Sequence, residues 1–227
     1  MAGLCASAPA SSAPARRPAD TMAERAAACF ACHGDKGRAT TDGYYPRIAG
    51  KPAGYLFNQL VNFREGRRQN PNMNYLVANL PDAYLHELAD YFSSLNPPYA
   101  PPQPAAAPAA VLERGRVLVT TGDRAKNLPA CSACHGAALT GTAPAVPGLV
   151  GLPRDYLNAQ FGSWSNHVRR AVAPDCMAQI AGRLSVEDLG AVTAYLAAQT
   201  VPPHAMPAPP GPEKPPLQCG SIPGSTP

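Results

Sequence analysis

The chain has 227 residues, 45% of them hydrophobic, and a net charge of +4 with no basic run of the kind that nucleic-acid binding uses. Its length suits one large domain or two small ones, and no stretch reaches the roughly 18 consecutive apolar residues of a membrane helix. The 28 prolines gather at the N-terminus, around residues 97–108 and after Val201, which leaves an ordered protein smaller than the chain.

In chain order, residues 1–19 read as the remnant of an export signal or a disordered N-terminus, with Ala-Pro-Ala sites ending at Ala10 and Ala15. A lipid anchor at Cys5 is the rival, weakened by Leu4 where a small residue is wanted. Thr21-x-x-Glu24 resembles a capping box that opens an Ala-rich helix running into "CFACH" at Cys29–His33. Tyr55, Leu56, Gln59, Leu60 and Phe63 then recur at helical spacing, as do Leu85, Leu88, Phe92 and Leu95 behind the turn at Pro81-Asp82. The Pro/Ala-rich linker at 97–109 should be an extended, semi-rigid spacer. Beyond it comes "CSACH" at Cys131–His135, then a helix start at Ser185-x-x-Asp188 followed by Leu189, Val192 and Leu196. Alternating strand patterns are absent. The expected class is all-α, with domains at 20–96 and 110–200 and a Pro-rich tail at 201–227.

The two halves are a duplication. The CxxCH pairs lie 102 residues apart, "GKPAGYLFNQL" from Gly50 matches "GLPRDYLNAQF" from Gly151 at an offset of 101, and Met73–Phe92 matches Met177–Leu196 at 104. Zinc would need four convergent ligands, but the cysteine pairs sit in separate repeats. A thioredoxin-type dithiol wants a preceding strand, and neither alternative explains the histidine that follows in both copies. Haem attachment uses every residue. Cys29 and Cys32, and again Cys131 and Cys134, add across the vinyl groups of a haem c, and His33 and His135 lie under the iron. Two covalent haems are therefore expected, in an exported protein. Each small domain would draw much of its missing core from its haem.

The sixth ligand decides whether a haem carries electrons or activates a small molecule. Met73 lies 40 residues after His33 and Met177 lies 42 after His135, each the same distance before the final helix, with Leu80 and Leu184 seven residues on. Core filling is the ordinary use of methionine, but Met73 sits in the polar loop "RRQNPNMN". For the second haem, the Cys176 thiolate and His167 compete with Met177. Once the haem cysteines and Cys5 are set aside, Cys176 and Cys219 remain, either as a disulfide or as two free thiols. Arg67-Arg68 and Arg169-Arg170 precede the methionines. They either neutralise propionates or a partner's carboxylates, or form a solvated basic loop, and Arg67 and Arg169 are taken as the candidates. Trp164 is expected to pack near the second haem.

Together "CFACHG", "PRIAGKPAGYLFNQLVNFREGRR" and "LPDAYLHELADYF", with "CSACHG", "PGLVGLPRDYLNAQF" and "LSVEDLGAVTAYL", resemble the di-haem cytochrome c4 family over residues 20–200. The resemblance implies two tandem class I cytochrome c domains with His/Met-ligated irons in the periplasm. Such a protein moves electrons between a bc-type complex or periplasmic dehydrogenase and a terminal oxidase. No small-molecule substrate is implied, and association with a membrane complex is compatible with it. In small haem c domains of this kind a proline carbonyl accepts from the haem histidine, a role that falls to Pro46 and Pro147, with turn punctuation as the alternative. The second copy departs from the pattern at "SWSNHVRRAVAPDC", and the tail is unusually Pro-rich. Two other readings keep a place: a di-haem oxidoreductase of thiosulfate dehydrogenase or peroxidase type, and the cytochrome subunit of a membrane-associated dehydrogenase.

Overall fold

The computed structural model describes residues 20–203, 205–211 and 215–222. The leader expected over residues 1–19 lies outside the described residues.

The first repeat holds five helices: α1 (Met22–Arg25), α2 (Ala27–His33), α3 (Ala53–Arg64), α4 (Pro71–Val77) and α5 (Asp82–Ser94). Thr21 caps α1, its Oγ1 accepting from the Glu24 N–H at 3.3 Å, but the continuous helix expected from there to Cys29 breaks at Ala26. Ala26 is fully buried against Leu56, Leu88, Ala89 and Phe92, so the chain bends where it meets the core. Helices α3 and α5 cross and bury the apolar faces that their spacing marks, while Phe63, Val77 and Leu85 fill the space against α4.

The second repeat holds α6 (Ala109–Thr120), α7 (Ser132–His135), α8 (Arg154–Ser165), α9 (Cys176–Arg183) and α10 (Val186–Ala197). Its core gathers Leu118, Val119, Leu128, Leu157, Val192 and Leu196. α6 packs across α10 so closely that a Cβ on Gly115 would collide with the Ala191 carbonyl. Among the described residues, strand structure, not expected from the sequence, amounts to one antiparallel pair, β1 (Gly141–Thr142) with β2 (Val146–Pro147), beside isolated bridges. Two residues per strand are too few to write an alternation.

The linker is tied down at Pro97, Pro98, Tyr99 and Gln103. Arg47, 4% exposed, donates to the carbonyls of Pro97 (2.6 Å) and Pro98 (3.2 Å), and its guanidinium lies 3.7 Å from the centroid of the Tyr99 ring. Gln103 donates its N–H to Ala197 O and accepts from the Arg154 N–H. The extended linker is thus anchored at its start, where Arg47 satisfies carbonyls that proline-rich chain leaves unpaired.

Candidate functional site

A cavity of about 910 Å³ with mainly apolar walls runs through both repeats. Each CxxCH motif delivers its histidine to this cavity from the end of a helix. Gly34 (φ +74°) and Gly136 (φ +82°) turn the chain out immediately afterwards, in a conformation that side chains disfavour. His33 and His135 are 8% and 6% exposed. Each ring donates from Nδ1 to a proline carbonyl, His33 to Pro46 at 2.9 Å and His135 to Pro147 at 2.7 Å. A carbonyl can only accept, so the proton sits on Nδ1 and Nε2 keeps its lone pair. Burial pushes both imidazoles below their ordinary pKa, which keeps them neutral and suited to a metal.

The four motif cysteines line the same cavity. Burial raises the thiols of Cys29 and Cys134, and that of Cys131 up to about 11, the opposite of the depressed pKa that a reactive dithiol shows. Among the described residues no three His, Cys, Asp or Glu side chains gather as a metal site, so the zinc reading has no ligand set.

Met73 and Met177 also line the cavity, each on the first turn of a capped helix. The Asn70 side chain accepts from the Met73 N–H (3.1 Å), and the Asp175 carboxylate accepts from the Ala178 N–H (3.0 Å). Cys176 is bonded to Cys219 with a Cα–Cα distance of 5.2 Å, so its sulfur is held in a disulfide. His167 does not line the cavity, whereas Trp164 does, with its indole N–H buried and unpartnered.

The basic residues divide. Arg67 pairs with Glu65 (2.6 Å) and Asn62 (2.6 Å) and does not line the cavity, whereas Arg68 does. Arg68, at the repeat offset of 101, is the counterpart of Arg169. The two pair antiparallel across the repeats, each bonding both Gln59 and Gln160, and Arg169 also reaches the Tyr55 hydroxyl at 3.2 Å. Lys51 crosses from the first repeat to the Gly148 carbonyl (3.1 Å), and burial pushes its pKa down to about 8. No described carboxylate pairs with Arg47, Lys51, Arg68 or Arg169, although all four line the cavity. Buried cations without counter-charge are costly. Haem propionates would supply that charge, and with the thiol pairs, neutral imidazoles and thioethers the donor set suits two haem c groups. Sequence reading passed over Lys51 and Arg47. Tyr55 and Gln59 did carry a signal, being polar positions repeated on α8 as Tyr156 and Gln160.

No protein-family model matches the chain. It is 38% identical to a thiosulfate dehydrogenase electron acceptor of Thiomonas intermedia over 179 residues, 78% of this chain and 81% of that one. A cytochrome c4 of Pseudomonas aeruginosa is 30% identical over 174 residues, 76% and 84% of the two chains. Among solved structures, reduced recombinant cytochrome c4 from Pseudomonas stutzeri superposes with a TM-score of 0.68 at 26% identity, covering 79% of this chain and 97% of that one. The thiosulfate dehydrogenase TsdBA from Marichromatium purpuratum gives 0.66 at 33% identity, with 74% of this chain but 36% of that longer one. On this fold, these motifs and these relatives, the chain belongs to the cytochrome c4 family: it is an all-α protein of tandem cytochrome c domains that carries two covalent haem c groups and transfers electrons.

Proposed function

We propose that this chain is a periplasmic shuttle that accepts electrons from a dehydrogenase of the thiosulfate-oxidising class and passes them to a downstream redox protein such as a terminal oxidase. In this reading His33 with Met73, and His135 with Met177, would hold the two irons, and Cys29, Cys32, Cys131 and Cys134 would carry the thioethers. Haem c, when bound, supplies a one-electron ferrous/ferric couple at each site. The protein's own part is to keep the sites dry, orient the imidazoles through Pro46 and Pro147, and place Arg68, Arg169, Lys51 and Arg47 where carboxylates need neutralising. Arg67, paired with Glu65, is better suited to bracing the loop after α3.

The observation that carries the reading is that Met177 lines the second site while the neighbouring Cys176 sulfur is committed to Cys219. An enzyme of this architecture would need an open or thiolate-ligated iron, and Cys176 was the residue that favoured one. The class of donor rests on relatives named as thiosulfate dehydrogenase electron acceptors. The test is to mix the ferric protein with thiosulfate, with and without a purified thiosulfate dehydrogenase, and follow haem reduction. Reduction is expected with the dehydrogenase present. Turnover with thiosulfate alone would favour an enzyme, and no reduction in either case would remove this donor class.

A further inference from the structure

Beyond Val201 the chain turns back over the second repeat. Ala208 is tied to the loop that follows His135, its N–H donating to Gly141 O (2.9 Å) and its carbonyl accepting from the Ala143 N–H (2.8 Å). Residues 215–222 are tied to the opposite, Met177 side. Cys219, 2% exposed, is bonded to Cys176, the first residue of α9. The Gly220 N–H donates to Pro174 O (3.0 Å), in contact so close that any side chain at 220 would strike the Ala173 carbonyl. Ser221 O accepts from the Asn58 side chain (2.9 Å), which carries the segment onto α3 of the first repeat. Leu217, Cys219, Ser221 and Ile222 all line the cavity. The first repeat has no such cover among the described residues: Tyr75 and Leu76, just past Met73, are 83% and 57% exposed.

We propose that residues 215–222 form a disulfide-fastened strap that positions the Met177 turn and encloses the second haem site, leaving the first site the more accessible. Cys176 and Cys219 are positioning residues in this scheme. They act through Met177, because Cys176 precedes it on the same helical turn, and the bridge joins that turn to a segment anchored at Pro174 and Asn58. With the bridge cut, the turn keeps its Asp175 cap but loses its outer wall, so the thioether can leave the iron and an exogenous ligand can enter. The proposal rests on Met177 as the axial group of the second site.

The test is carbon monoxide binding to the full-length ferrous protein, followed in the Soret band, for wild type, Cys176→Ser/Cys219→Ser, Met73→Ala and Met177→Ala. The double serine variant should bind CO at one haem at least about tenfold faster than wild type. Adding Met73→Ala to it should open a second haem to CO, whereas adding Met177→Ala should not. A trialkyl phosphine acting on folded wild-type protein gives the same readout without mutation. It cleaves the S–S bond, two S–H bonds form, and the phosphine leaves as its oxide with the oxygen of water. Unchanged CO binding after both treatments, or a gain at the first haem, would overturn the strap. A methionine–iron charge-transfer band lost from neither haem in ferric Met177→Ala would instead remove the ligand assignment beneath it.

Discussion

A histidine that closes a helix and lies buried needs a fixed tautomer before it can serve a metal. Here a proline carbonyl provides it twice, at 2.9 and 2.7 Å. On the proposed ligation, Met73→Ala and Met177→Ala should each abolish the methionine–iron charge-transfer band of one ferric haem and lower that haem's potential alone. A redox titration followed by spectra reads both. Away from the haems, Asp188 is the most enclosed carboxylate of an ion-pair network, its side chain 7% exposed and bonded to Arg114 (2.8 Å) and Lys126 (2.5 Å). The Arg114 hydrogen bond holds its pKa below the usual carboxylate range. A lowered folded pKa contributes stability above the unfolded value and loses it as pH falls through the folded one. Arg114 and Lys126 are themselves 39% exposed, so solvent screening trims the effect, and Asp188→Asn should cost about 1–2 kcal/mol at pH 7. Urea unfolding at stepwise lower pH should show the difference from wild type shrinking once the acid is protonated.

Among the elements, the helices that bury one stripe were legible in the sequence, since Leu85, Leu88 and Phe92 on α5 and Val192 and Leu196 on α10 write a helical period that burial then uses. The cap at Ser185 was equally legible, its Oγ accepting from the Asp188 N–H at 3.1 Å. The break at Ala26 was not, because alanine carries no helix-stopping chemistry and the bend comes from the core it meets. The crossing of α6 and α10 was hidden too, since Gly115 in a helix reads as a weak helix former until Ala191 is placed against it. Gly115→Val should therefore destabilise the second domain by about 1–3 kcal/mol through overpacking, read by thermal unfolding. Gly162→Ala, on α8 with nothing near the added methyl, should be neutral or better by the same measurement.

At the scale of the whole molecule, two repeats face each other through matched positions. Tyr55, Gln59 and Arg68 answer Gln160 and Arg169, bringing two guanidinium groups together with no described carboxylate to pair them. The linker adds a second tie. Arg47→Ala would leave the Pro97 and Pro98 carbonyls without their donor and remove the cation over Tyr99. That change should cost about 2–3 kcal/mol in denaturant unfolding, with the methionine–iron bands of both haems kept.

The sequence by itself determined the duplication, the haem attachment, the axial histidines and methionines as candidates, and the all-α class. Motif spacing and apolar periodicity are local and survive translation into a string. Tertiary structure decided which cations line the cavity: Arg68 and Arg169 with Lys51 and Arg47, while Arg67 turns to Glu65. It also decided that the proline-rich linker is held at its start by Arg47 and that Cys176 closes on Cys219. Those outcomes depend on residues 43 to 97 positions apart meeting in space, and no local pattern encodes such a meeting.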